Sequence, residues 1–198
     1  MKNNQSERKK SSLPFNINKK SIFGVISLIS QEILERILTG LKFKSSKEDQ
    51  VLKLVRAKAI RNDPESVLKI IDDYAYKKTF LMNIGDEKGL YLEKAIRQSE
   101  AKNILELGVY LGYSSIRILK TLKNKSTLTS IESNEKFADI AREHIKIAGL
   151  GMNHNLIIGK SSEIIPKLKG QYDFIFIDHW KDLYLKDLKI LEKYNLLK

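Results

Sequence analysis

The densest chemical signal in this 198-residue sequence is a run of nine residues, Glu106-Leu-Gly108-Val-Tyr110-Leu-Gly112-Tyr-Ser114. It follows the apolar tetrapeptide Ile104-Leu105-Glu106-Leu107, read as a short strand, and leads into an amphipathic helix. A cofactor can approach the backbone closely only where a side chain is missing, which is the use of Gly108. The helix start behind it offers free N–H groups and a positive dipole end. A dinucleotide-binding loop would carry glycine at position 110. Tyr110 would crowd a pyrophosphate there, whereas an aromatic ring can face a sulfonium cation. The loop therefore points to S-adenosylmethionine ahead of a nicotinamide dinucleotide, with Glu106 in reach of the amino group of a methionine moiety.

Further candidates stand where strands are expected to end. Glu132 closes the second strand, where an acid can accept both ribose hydroxyls. Gly159 and Ser161 come just after the third, beside an adenine-sized space. Asp178-His179-Trp180-Lys181 follows the fourth, at the carboxyl end where open α/β sheets place their ligands.

The elements that must position these residues read as follows. Val51, Leu52, Leu54, Val55 and Ala59 suit a helix ending near Arg61-Asn62. Asp63-Pro64-Glu65 opens the next, with Asp63 as N-cap and Pro64 in the first helical position. Asn83 to Gly89 is a turn into a third helix reaching about Gln98. Strands are expected at 104–107, 126–131, 156–158 and 172–177. Helices are expected at 112–122, 134–148, 161–168 and 183–191. Strands alternating with helices predict an α/β fold, a parallel sheet with helices on both faces.

Composition limits the alternatives. With no cysteine, the chain has no disulfide, thiolate metal site or cysteine nucleophile, and it fits a reducing, cytoplasmic setting. The net charge of +12 comes from lysines spread through nearly every segment. No arginine-rich helix or aromatic-interleaved basic strand is present, so no nucleic-acid partner is expected. Residues 1–20 are basic and poor in apolar residues and read as a disordered tail. Residues 21–40 carry an apolar run too short to span a bilayer, which needs roughly 20 apolar residues. They suit an amphipathic helix resting on a membrane surface. Residues 42–49 read as a charged linker.

Several motifs in one order resemble the catechol O-methyltransferase family. They are Met82-Asn-Ile-Gly85-Asp86-Glu-Lys-Gly89, Leu105 to Ser114, Phe176-Ile-Asp178-His179-Trp180-Lys181-Asp-Leu-Tyr184, and Leu191-Glu-Lys-Tyr-Asn-Leu-Leu197. The resemblance covers roughly Val51 to the C-terminus. It implies a Rossmann-like, S-adenosylmethionine-dependent methyltransferase domain over 48–198 whose later strands this chain lacks. It implies that Glu106, Gly108, Tyr110 and Ser114 hold the methionine end of the cofactor, lined by Met82 and Ile84. Glu132 would bind the ribose, with Ser133 beside it. Ser161 and Ser162 would edge the adenine, although the family has a glutamine in place of Ser162, and His179 and Trp180 would cover it. Asp178 would be a magnesium ligand, Lys181 the general base, and Phe80 an aromatic wall of the catechol pocket.

The family's metal site also uses an Asp-Asn pair on a further strand, so half of the Mg2+ site is expected to be missing and the chain to be a fragment or short form. The implied activity is methyl transfer to a catechol hydroxyl. A non-catalytic cofactor-binding or membrane-tethered relative is the alternative.

Overall fold

The computed structural model describes residues 45–123 and 125–198. The expected tail at 1–20 and amphipathic helix at 21–40 lie outside the described residues. Among the described residues no helix is long and apolar enough to cross a membrane.

Three helices come first: α1 (Lys47–Lys58), α2 (Pro64–Lys77) and α3 (Gly85–Ser99). The expected linker overlaps the first turn of α1, because Glu48 and Asp49 have partners in the folded unit. The Tyr110 hydroxyl donates to Glu48 at 2.7 Å, and Lys136 Nζ lies 2.7 Å from Asp49. At the start of α2, Asp63 Oδ1 accepts the backbone N–H groups of Glu65 (3.0 Å) and Ser66 (3.2 Å). That satisfies donors the first helical turn leaves unpaired, and Pro64 behind it has no N–H to satisfy.

The alternating portion follows as β1 (Asn103–Leu107), α4 (Tyr113–Leu119), β2 (Thr127–Glu132), α5 (Glu135–Ile147), β3 (His154–Ile158), α6 (Ser161–Ile164), β4 (Phe174–Ile177) and α7 (Tyr184–Lys193). The strands form one parallel sheet in the order β3-β2-β1-β4. The helix expected over 161–168 is split. Pro166 cannot continue an α-helical ladder, and Ile165–Lys167 form a 3-10 turn instead. The fourth strand begins two residues later than expected. Tyr172 instead makes an isolated parallel bridge to Leu197, with its N–H donating to the Leu196 carbonyl at 2.7 Å.

Side chains alternate across a strand, and β1 shows where they go. Ile104 joins a large apolar core with residues of α1 to α5, while Leu105 and Leu107 join a second core with Ile131, Ile165, Tyr172, Leu191 and Leu196. The sheet is therefore covered on both faces, as the alternating sequence predicts. Glu106 is the residue of β1 that points a charge into the interior, at 0% exposure.

The cap on α2 is open to measurement. Asp63→Ala should lower stability by about 1 kcal/mol, read as an earlier midpoint in urea with the m-value unchanged. An unaltered midpoint would show that the two N–H groups find equivalent partners.

Candidate cofactor site

The parallel ladder continues past the strand ends, and the continuation builds the site. The N–H of Gly108 donates to Ile131 (2.9 Å), that of Gly159 to Glu132 (2.9 Å) and that of Asp178 to Leu107 (2.8 Å). Gly108, Glu132, Gly159 and Asp178 therefore stand in one layer at the carboxyl ends of all four strands. At Gly108, φ is +92°, and a Cβ would lie 2.7 Å from the Asp178 carbonyl oxygen and 2.8 Å from the His179 nitrogen. Only glycine allows this crossing. Gly112, at φ +82°, starts α4, and a Cβ there would press to 3.1 Å on Ala141 of α5.

Two buried carboxylates hold the loop between these glycines. Glu132 Oε2 accepts the N–H groups of Val109 (3.0 Å) and Tyr110 (2.9 Å), and its Oε1 accepts that of Asn134 (2.8 Å). The bonds fix the carboxylate while leaving Oε1 acceptor capacity for a hydroxyl. Glu106 accepts three serine hydroxyls, Ser114, Ser115 and Ser130, each at 2.6 Å. Ser130 is its partner in register on β2 and is also 2.9 Å from His154 Nε2. Burial pushes the Glu106 carboxyl up to about 7 despite those hydroxyls, with the Asp178 charge adding to the rise.

Two of the loop's predicted residues face inward. Glu106 is at 0% exposure, and its two oxygens hold the hydroxyls of Ser114, Ser115 and Ser130. Tyr110 adopts φ +50° and is 9% exposed, its ring perpendicular to Phe137 at 4.9 Å and its hydroxyl turned to Glu48.

A sequence model of the family described as O-methyltransferase matches residues 58–198. The chain belongs to the O-methyltransferase family. It is 36% identical over 181 residues to the catechol O-methyltransferase of Bos taurus, covering 89% of this chain and 66% of the bovine protein. It is 37% identical over 181 residues to catechol O-methyltransferase B of Danio rerio, covering 88% and 68% of the two chains. The chain thus spans about two thirds of the length of these relatives. In fold it is similar to the O-methyltransferase TomG of Streptomyces achromogenes, whose structure holds SAM. The TM-score is 0.60 at 24% identity, covering 66% of this chain and 60% of that one.

In this O-methyltransferase chain the remaining predicted residues differ in how far they are buried. Asp178 is exposed, and the apolar surroundings raise its carboxyl. Lys88, His179 and Lys181 oppose the rise by charge, and the Tyr184 hydroxyl opposes it by a hydrogen bond. Lys181 is exposed in the 3-10 turn that follows. Ser161 is buried and Ser162 half-buried at the start of α6, while Ser133 is exposed. Trp180 is 70% exposed, and Phe80 and Met82 are also open to solvent. Ile84 packs on the larger core beside Asn83, whose buried Nδ2 has no partner.

Among the described residues no group of three or more His, Cys, Asp or Glu side chains could hold a metal ion. An ion that takes six oxygens would need more carboxylates than such a group supplies.

Asp187 of α7, Ser115 and Ser130 take part without having been singled out from the sequence. Asp187 Oδ2 accepts the Ser161 hydroxyl and, at 2.7 Å, the N–H of His179 Nε2. The legible signal was its place between Leu183 and Leu191, a charge on an i, i+4, i+8 apolar stripe.

Glu106 carries a pH prediction. Between about pH 4.5 and about 7 the unfolded chain gives up the Glu106 proton while the folded chain keeps it. The native state is thus favoured at the acid end, loses that advantage as pH rises through 7, and gains nothing further above it. Glu106→Gln removes the dependence. Its stability relative to the unsubstituted chain should rise from little at pH 4.5 to on the order of 3 kcal/mol at pH 8. Parallel denaturation curves across this range would show instead that Glu106 is not protonated in the fold. Gly108→Ala should leave helix content intact but separate the loop from Asp178 and His179, visible as shifted amide resonances for both.

Proposed function

We propose that this chain binds S-adenosylmethionine across the strand-end layer and serves an O-methyltransferase acting on catechol hydroxyls. The observation that carries the reading is the Gly108 crossing, a cradle that any Cβ would fill, set beside the fixed carboxylate of Glu132. The relatives' own names, catechol O-methyltransferase, support the substrate class. The residues present fit the cofactor. Glu132 offers Oε1 to a ribose hydroxyl, with Ser133 beside it. Ser161, Ser162, His179 and Trp180 border the adenine, and Ser114, Met82 and Ile84 border the methionine end. Glu106 acts there through Ser114, whose hydroxyl it holds.

When bound, the cofactor supplies a methyl group activated on a sulfonium centre. The chain's own work is to fix that group against a hydroxyl, where proximity and alignment lower the barrier. Lys181 takes the hydroxyl proton, and Phe80 forms one wall for the ring. A lysine suits the task because its amine exchanges a proton readily once partly desolvated. The described residues do not fit a magnesium cage, and no step is routed through the metal. That donor set favours a second reading, a cofactor-binding relative without turnover.

Calorimetry with S-adenosylmethionine, followed by transfer of a labelled methyl group to catechol with and without magnesium, separates these readings. One molecule bound per chain and label on the ring oxygen is the expected result. Binding without transfer under either condition selects the non-catalytic relative, and no binding removes both readings. Glu132→Ala should weaken cofactor binding at least tenfold, the scale of a lost charge-assisted hydrogen bond. Unchanged affinity would move the ribose elsewhere.

A further inference from the structure

His144 of α5 is buried at 0% exposure, yet its side chain reaches the cofactor loop. Its Nδ1 lies 2.9 Å from the Leu111 carbonyl oxygen, between Gly108 and Gly112. A carbonyl oxygen only accepts, so Nδ1 carries the hydrogen and donates it. The other ring nitrogen, Nε2, is buried and has no partner among the described residues. A charged ring would place a second N–H there with nothing to receive it. Burial pushes the His144 pKa down to about 4, against the Leu111 carbonyl and the Glu143 charge and with the Arg56 charge. The ring is therefore neutral near pH 7, with its single N–H committed to the loop.

That N–H matters because the loop is strained. Tyr110 stands at φ +50°, a left-handed conformation that residues other than glycine rarely adopt, and such a residue stays there only where its surroundings hold it. On one side Glu132 Oε2 takes the N–H groups of Val109 and Tyr110. Beyond Tyr110 the Val109 carbonyl accepts the Gly112 N–H, and the Gly112 carbonyl accepts that of Ile116, both at 2.9 Å. The Leu111 carbonyl belongs to a residue 1% exposed, and a side chain from another element serves it. Ala141, three residues before His144 on α5, sits against Gly112, so one face of α5 meets the loop at both points. A buried carbonyl without a partner is costly, and without His144 the loop would have to turn to find one.

We propose that His144 is a positioning residue for the cofactor. Through the Leu111 carbonyl it holds the loop in the conformation that keeps Glu132 bonded through Oε2 and leaves its Oε1 open to the ribose. The inference rests on the cofactor reading above and adds to it a residue that acts through the loop without touching the ligand.

Calorimetry on the full chain with S-adenosylhomocysteine tests it, using two substitutions that part the hydrogen bond from the packing. His144→Asn keeps an N–H donor in the place of Nδ1 and should hold affinity within about threefold. His144→Leu fills the space with an apolar side chain and offers no donor. It should weaken binding about tenfold or more, the scale of a hydrogen bond lost from a buried acceptor. A role in packing alone predicts the reverse order, with Leu binding as the unsubstituted chain does and the smaller Asn binding worse, and would overturn the proposal.

Nitrogen-15 spectra of histidine-labelled protein need no variant, because only three histidines are present. They should show His144 protonated at Nδ1 and bare at Nε2. A bare Nδ1, or tenfold weaker binding by His144→Asn, overturns the proposal even if His144→Leu fails to fold. No binding by the unsubstituted chain removes the cofactor reading itself, a result distinct from binding that His144→Leu keeps.

Discussion

The site depends on how closely two stretches of backbone pass at the ends of β1 and β4. A Cβ on Gly108 would lie within 3 Å of Asp178 and His179 backbone atoms, so the glycine sets the distance between the strand ends. The positive φ at Gly108 turns the chain out of β1, and the αL conformation at Gly112 turns it into α4. Everything chemical is arranged around that crossing. Glu132 reaches from β2 to hold the N–H groups between the two glycines, and Asp178 and His179 begin where β4 has no room to continue against the loop. The crossing sets the loop backbone against that of Asp178 and His179, with the Glu132 carboxylate bonded to the same loop.

Five acids stand buried among the described residues of a chain of net charge +12, and three of them, Glu132, Glu106 and Asp187, serve different purposes at the strand ends. Glu132 is satisfied by backbone N–H groups, which lock a loop conformation. Glu106 is satisfied by hydroxyls, which are weaker donors, and burial accordingly raises its carboxyl to about 7. Asp187 has one oxygen doubly used and one without a partner. Burying a charge is unfavourable unless it is hydrogen-bonded, and the three show decreasing degrees of compensation. The least compensated is the one on α7, farthest in sequence from the loop and bonded to Ser161 and His179.

Much of this was legible in the sequence because it rests on local rules. Asp63-Pro64 announces the start of α2, strand and helix alternation announces the parallel sheet, and the glycines announce the loop. The linker expected over 42–49 was misread at its end because the partners of Glu48 and Asp49, Tyr110 and Lys136, lie 62 and 87 residues away. The inward placement of Tyr110 and Glu106 was illegible for a related reason. Residue type names the chemistry a side chain can do, but which way it faces depends on neighbours from other elements. Phe137 and Glu48 draw Tyr110 inward, and the three serines close over Glu106. Asp187 left a faint trace, a charge on an apolar stripe, which periodicity treats as an irregularity until Ser161 and His179 are found against it.

On the reading proposed above, the two halves of the reaction are built by different means. The cofactor side rests on groups held by bonds at the strand ends: Glu132 on the loop N–H groups, Glu106 on Ser114, and Ser161 and His179 on Asp187. The acceptor side rests on Phe80 and Lys181, both exposed, with Asp178 at the border. Preorganisation matters most where a ligand must be oriented to within a fraction of an ångström, and this requires side chains whose own rotamers are held. By that criterion the residues assigned to the cofactor are the more firmly held, and Phe80 and Lys181, assigned to the acceptor, the less so, because no strand-end bond fixes their side chains in the way Glu132 and Glu106 are fixed.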